Sequence, residues 1–315
     1  MRGVYCDGNE ARLRLDLAEP KPREGEVVLK VRAVGICATD LQLARGYMGF
    51  QGILGHEFVA ETESGRRVTA EINNPCQHCP TCREGRPRHC PNRSVLGILN
   101  HDGAMADLVA VPAANLHEVP DGLDDQQAVF IEPTAAAFRL TEQVELNPGV
   151  SLAVLGDGKL GLLCAWVARL TGAHVHLIGK HPEKLALAGE GVMTHSIEEA
   201  TARGRVFDVV ADCTGSKTGL ATALRLVEPC GTVVLKTTVA GEYAIDLAPI
   251  VIDEVRVIGS RCGPFPKAIA ALAAGMIDVR PLIGAVYPLR AADAAFHAAA
   301  SKGAKKVLIA VRASS

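Results

Sequence analysis

Apolar and polar positions change their rhythm once along the chain. Up to about residue 133, short runs alternate with the two-residue period of a half-buried strand, most clearly at 27–34 and again at 55–60 and 67–72. Glycine and proline separate them, so this part predicts a compact, barrel-like β domain. From about residue 134 the texture differs. Apolar runs of strand length stand at 150–155, 175–178, 207–211 and 232–235. Stretches with helical spacing, such as 160–170 and 219–227, lie between them. Strands alternating with helices predict a parallel sheet covered on both faces. An alanine-rich helix at 267–274 and a last strand at 306–311 follow.

The 315 residues leave room for two ordinary domains. With 48% hydrophobic and 22% charged residues the chain can bury a real core, and a disordered profile is excluded. Only 4% are aromatic, so Ala, Val and Leu must build that core. A net charge of −2 argues against a nucleic-acid or anionic-membrane surface as the main partner. No apolar run reaches the roughly 18 residues of a membrane span. Residues 1–10 lack the apolar segment of a signal peptide. The expected compartment is therefore the cytoplasm, where the 10 cysteines need another explanation than disulfides.

Cys76, Cys79, Cys82 and Cys90 form a C-x2-C-x2-C-x7-C cluster among turn-forming Pro and Gly. Four thiolates so close in sequence can close a tetrahedron around zinc, which is how structural zinc is held. The lobe at about 75–91 lacks a core of its own, so the metal should supply its stability. Arg83, Arg86, Arg88 and Arg93 give it a local basic face, but without a basic balance overall a nucleic-acid zinc module is disfavoured. A second, dispersed set comprises Cys37, the pair His56-Glu57, and Glu132. One thiolate, one imidazole and one or two carboxylates suit zinc with an exchangeable position. Finally, Gly156-Asp157-Gly158-Lys159-Leu160-Gly161 reads G-x-G-x-x-G between an apolar strand and an apolar-faced helix. In that setting Gly156 permits the turn, Gly158 lets the backbone approach a pyrophosphate, and Gly161 allows close helix–strand packing.

These motifs stand in one order: Gly-Ile-Cys-Ala-Thr-Asp at 35–40, Gly-His-Glu at 55–57, the four-cysteine lobe, Glu132-Pro133, and the glycine turn. Together they resemble the zinc-dependent medium-chain dehydrogenase/reductases over nearly the whole chain. The resemblance implies an α/β protein with a GroES-like β-barrel catalytic domain, residues 1–133 and 261–315, plus a Rossmann doubly wound parallel sheet, residues 134–260. It implies two zinc ions per chain. Cys37, His56 and Glu132 would ligate the catalytic one, with Glu57 a carboxylate able to exchange onto it. Asp40 would orient the ligating histidine. Thr39 would accept the proton of the substrate hydroxyl. Gln42 stands where a relay histidine is common, and it cannot titrate near neutral pH. Glu132 in place of cysteine resembles the polyol, sugar and threonine dehydrogenase branch. The implied reaction is hydride transfer between an alcohol and NADP(H) or NAD(H), giving a ketone or aldehyde. A second reading keeps the fold without turnover, as an NADPH-binding or redox-sensing protein.

NAD enzymes usually end the second strand of this fold with an acid that binds the ribose 2′-hydroxyl. Here Gly179, Lys180 and His181 occupy that place. A missing carboxylate removes both the hydrogen bond to NAD and the repulsion of a 2′-phosphate, so NADP(H) is favoured over NAD(H). Cys213-Thr214, Thr237, Ser260 and Arg261 fall where family members meet the rest of the dinucleotide. Tyr47, Met48, Phe50 and Leu96 could line a substrate entrance or equally be core or subunit contacts. Cys6, Cys164, Cys213, Cys230 and Cys262 are left as small core residues. The family's habit predicts a homodimer or homotetramer, with no nucleic-acid or membrane partner.

Overall fold

The computed structural model describes residues 1–239 and 241–312. The chain folds into two compact units, 1–132 together with 268–315, and 133–267. The second crossing lies a few residues beyond the expected 261. Gly263 explains why: a Cβ there would stand 1.7 Å from the Ala135 carbonyl, so this segment packs within the second unit.

In the first unit the long strand Glu26–Gly35 organises the sheet. Its first half pairs with Leu108–Pro112, and its second half with Glu57–Glu61 on one side and Lys306–Ala310 on the other, all antiparallel. Val31, Val34 and their neighbours bury one face. The register sets Gly35 opposite Glu57 and Leu308. A small hairpin, Gly3–Cys6 with Ala11–Arg14, pairs with Gly52–Ile53. Phe50 and Leu96 are buried in this unit, so they are core rather than an entrance; Tyr47 is half-buried and Met48 exposed.

The second unit is a six-stranded parallel sheet: β1 (Ser151–Leu155), β2 (His174–Gly179), β3 (Val192–Ser196), β4 (Phe207–Asp212), β5 (Val227–Leu235) and β6 (Arg256–Gly259). Their spatial order is 3-2-1-4-5-6, the doubly wound order that reverses beside β1 and opens a ligand crevice at the strands' carboxyl ends. Helix α1 (Lys159–Arg169) follows β1. Leu155, Ile178, Phe207, Val210, Leu224 and Val233 form the buried cluster on one side of the sheet. Among the leftover cysteines, Cys6 and Cys164 are buried, and Cys213 and Cys262 half-buried. Cys230 is exposed, against expectation, because it sits at φ 62 in an irregular start of β5.

Candidate metal centres and dinucleotide site

Cys37 ends the long strand's run and caps the short helix Ala38–Leu43. Its N–H donates to Asp40 Oδ2 at 2.7 Å, and the Gly55 N–H donates to Asp40 Oδ1 at 3.3 Å. Asp40 is wholly buried, and its Oδ1 faces His56 Nδ1 at 3.4 Å, an ion-pair distance with no well-formed hydrogen bond. Burial disfavours charge on His56. The Asp40 carboxylate, and then Cys37, outweigh that and hold the imidazole well above its ordinary pKa. The turn that delivers His56 depends on Gly55 at φ +99, where a Cβ would stand 2.6 Å from the Met105 side chain.

Ligand atoms of Cys37, His56 and Glu57 lie within 4.8 Å of one another. Glu57 is buried and ion-pairs with the buried Lys306, whose ammonium also sits 5.9 Å over the Phe130 ring. Gly35 makes room for this pair, since a Cβ there would meet Glu57 Oε2 at 2.7 Å. Lys306 was not singled out from sequence. Glu132 stands half-buried on the first turn of the helix Ile131–Gln143 and falls outside the convergent set. Thr39 Oγ1 lies 3.8 Å from Cys37 Sγ. The donor set fits zinc: a soft sulfur, an imidazole and a carboxylate converge in a buried place, and the loosely held Nδ1 faces the acid that would fix its tautomer once Nε2 ligates.

The four cysteines of the lobe also converge. Sulfur pairs 79–82, 79–90 and 76–90 are 3.5, 3.7 and 3.5 Å apart. A tetrahedron with Zn–S near 2.3 Å has edges of about 3.8 Å, so the sulfurs already lie near the spacing zinc requires. Backbone N–H groups of His78 and Cys79 pull the Cys76 thiol down to about 6. Burial and its sulfur neighbours push Cys82 up to about 12. A cation would resolve that competition for protons.

In the second unit, Gly156 adopts φ +117, and a Cβ there would stand 2.8 Å from the Cys213 backbone. A Cβ on Gly161 would lie 1.8 Å from the Gly156 carbonyl oxygen, whereas Gly158 faces open space. That is the arrangement a pyrophosphate needs over the start of α1, where Lys159 and Leu160 are half-buried. Asp212, which opens the Asp212-Cys213-Thr214-Gly215 segment at the end of β4, organises the ends of β4 and β5. Its Oδ1 accepts from Thr214 N–H at 2.9 Å, Thr214 Oγ1 at 2.7 Å and Thr237 Oγ1 at 3.2 Å. The buried Lys236 donates to Ala136 O at 2.7 Å and Ser260 Oγ at 3.0 Å. Arg261 is exposed.

One expectation is corrected here. The end of β2 does have a carboxylate, supplied by Asp157 of the glycine turn. A Cβ on Gly179 would stand 2.3 Å from Asp157 Oδ2, so this acid fills the space a side chain at 179 would take. Asp157 Oδ2 accepts from the N–H of Lys180 at 2.6 Å and of His181 at 2.8 Å. The His181 ring adds a contact at 3.0 Å. Burial works against the charge, but the His181 ring and these N–H groups hold the carboxyl below its usual range.

The alcohol dehydrogenase GroES-like domain family matches residues 23–121, and the zinc-binding dehydrogenase family matches residues 160–275. L-galactonate-5-dehydrogenase of Escherichia coli K12 is 29% identical over 295 residues, covering 85% of this chain and 86% of that protein. A crystal structure described as a zinc-binding dehydrogenase from Sinorhizobium meliloti 1021, bound to NADP, superposes with a TM-score of 0.86 at 30% identity, covering 98% of each chain. The chain belongs to the zinc-dependent medium-chain dehydrogenase/reductase family. A second crystal structure, described as a short chain alcohol dehydrogenase from Escherichia coli CFT073 complexed with NADH, gives a TM-score of 0.87 at 26% identity, covering 98% of this chain and 99% of that one. This medium-chain dehydrogenase is accordingly an oxidoreductase of the alcohol and polyol type that works with a nicotinamide dinucleotide. Among the described residues no helix is long and apolar enough to cross a membrane.

Proposed function

We propose that Cys37, His56 and Glu132 hold a catalytic zinc with Glu57 as an exchanging carboxylate, and that Cys76, Cys79, Cys82 and Cys90 hold a structural zinc. The observation that carries this reading is the convergence of Cys37, His56 and Glu57 in a buried place backed by Asp40 and Lys306. Glu132 is assigned from the family motif alone. When bound, the catalytic metal would polarise the substrate oxygen and lower the hydroxyl's pKa.

The chain's own residues do the rest. Asp40 keeps the His56 proton on Nδ1 and so leaves Nε2 free to donate its lone pair. The Lys306 ammonium neutralises Glu57 and holds the carboxylate in reserve. Thr39, beside the Cys37 sulfur, receives the proton of the substrate hydroxyl and passes it toward solvent. Gln42 cannot titrate there, so the proton leaves through the ribose hydroxyl and water or through another group. The substrate class is a secondary alcohol of the polyol or sugar kind.

NADP(H) is the favoured dinucleotide. Asp157 is spent on two backbone N–H groups and the His181 ring, while the Lys180 side chain stands exposed where a 2′-phosphate would arrive. Lys180→Ala should therefore weaken NADPH more than NADH. The active form is a homodimer or homotetramer.

Zinc analysis tests the metal assignment. Wild-type protein should carry two zinc ions per chain. Cys37→Ala and His56→Ala should carry one, lose turnover over a panel of alcohols, and still bind dinucleotide in a fluorescence titration. Retained turnover in Cys37→Ala with one zinc per chain would overturn it.

A further inference from the structure

Two cysteines outside both metal sets meet beneath the glycine turn. Cys164 lies on the buried face of α1, with no exposed surface. Cys213 is the first residue after β4 and is half-buried. Their sulfurs are 3.8 Å apart and both thiols are free. A disulfide needs about 2.05 Å, so the sulfurs have roughly 1.8 Å to close, within reach of side-chain rotation and a small loop shift.

The surroundings favour thiol chemistry. Burial resists charge on Cys164, but the Cys213 thiol and the buried Lys236 ammonium together draw that thiol down, while the Cys164 neighbour and burial push the Cys213 thiol well up, so the thiolate of the pair rests on Cys164. The backbone of Cys213 packs against the turn. Its N–H donates to Leu155 O at 2.8 Å, and a Cβ on Gly156 or Gly161 would meet Cys213 at 2.8 or 3.7 Å. A bond between the sulfurs would thus tie α1 to the segment that shapes the pyrophosphate turn.

We propose that Cys164 and Cys213 form a site of reversible covalent modification, a dithiol that closes to a disulfide on meeting a hydroperoxide. Cys213, the half-buried member, passes its proton to the Cys164 sulfur 3.8 Å away and attacks the peroxide oxygen as the thiolate. The O–O bond breaks, the thiol becomes a sulfenic acid, and an alcohol leaves. The Cys164 sulfur then attacks the Cys213 sulfur. An S–S bond forms, the S–O bond breaks, and hydroxide departs as water with the remaining thiol proton. Two thiols and one hydroperoxide thereby give one disulfide, one alcohol and one water, with two electrons passing from sulfur to oxygen. A dithiol reductant reverses the bond by exchange.

The expected consequence rests on the reading that this turn holds the dinucleotide. Bound NADP should shield Cys213 and slow its oxidation. The disulfide should weaken dinucleotide binding by roughly tenfold.

The test uses the zinc-loaded full chain treated with dilute hydrogen peroxide, with and without NADP. Peptide mapping by mass spectrometry should find a Cys164–Cys213 cross-link that dithiothreitol removes and NADP suppresses. Cys164→Ala and Cys164→Ser should never show it, and both should bind NADP like the reduced wild type. Cys213 driven to sulfinic acid beside an intact Cys164 thiol would overturn the proposal, as would a cross-linked protein with unchanged NADP affinity. Reduced wild type that binds no dinucleotide would instead refute the reading of the turn, with the cross-link still deciding the thiol chemistry.

Discussion

Asp157 shows how one side chain can do another's work. At the end of β2 the acid of NAD enzymes is absent, yet its volume is filled by a carboxylate from the glycine turn. Gly179→Asp alone should therefore fail, because the new side chain collides with Asp157 and two carboxylates would share one place. Asp157→Gly combined with Gly179→Asp moves the acid to the strand end. That double variant should raise the NADH to NADPH affinity ratio by roughly tenfold or more, since a strand-end acid hydrogen-bonds a ribose diol and repels a 2′-phosphate. Fluorescence titration with both dinucleotides measures it, and an unchanged ratio would refute the exchange. The motif showed Asp157 plainly, but position x of a G-x-G turn carries no rule of its own. Lys306 was hidden for a related reason. A lysine opening an apolar strand reads as a solvated end, and only the fold buries it against Glu57. Cys37, His56 and the four clustered cysteines stand out in the sequence because ligand chemistry restricts residue type and spacing, and the fold brings each set's ligand atoms within 4.8 Å of one another.

Elements were legible in proportion to their burial. The inner strands β1, β2 and β4 are apolar-rich runs, broken by His176 in β2 and Asp208 in β4, and the sequence places them within a residue or so. Edge strand β3 is half exposed and polar enough to escape notice. The helix expected over 219–227 stops at Leu224, because Val227 already starts β5. Edge position also creates a pH-sensitive seam between β2 and β3. His176 Nδ1 and His195 Nε2 are 2.8 Å apart, and Phe207 packs edge-on against His176. Burial, then the His195 ring, with Arg203 and His174 pressing the same way, lower His176 to about 4. Burial and Arg203 also lower His195, with Glu199 opposing. An unfolded histidine binds its proton near pH 6.5, so between 6.5 and 4 the unfolded chain holds the extra proton. Stability is present above 6.5 and falls with pH through that window, by about 1–2 kcal/mol at pH 5. Denaturant titrations at pH 7.5 and 5 should show this loss, and His176→Gln should reduce it; an equal loss in the variant would exclude this pair as the source. The zinc lobe behaves differently. Within 75–91 only Cys79 and Cys90 are buried apolar residues, so the proposed structural zinc would be its core. Cys76→Ser should speed hydrogen exchange across the lobe while NADP binding persists; unchanged exchange would mean the lobe holds itself.

At the scale of the molecule, one edge of the parallel sheet is unfinished. Strand β6 pairs only with β5 among the described residues, leaving a row of backbone donors and acceptors open. Beside it in sequence, Leu247, Val251 and Ile252 are 58%, 74% and 77% exposed. Burying one such side chain is worth about 1.5–3 kcal/mol, and open strand edges are normally paired, covered or charged. None of the three residues is charged. The economical solution is a second copy: antiparallel pairing of β6 with its symmetry mate would satisfy both edges and bury both patches in one isologous interface. Light scattering should then give a mass of two or four times 33.1 kDa. Val251→Asp with Ile252→Asp should reduce it to one chain mass while zinc content and dinucleotide affinity stay, because neither residue belongs to those sites. A wild-type protein that runs as a single chain at micromolar concentration would refute the pairing. A double variant that keeps the assembled mass would move the interface elsewhere on the surface.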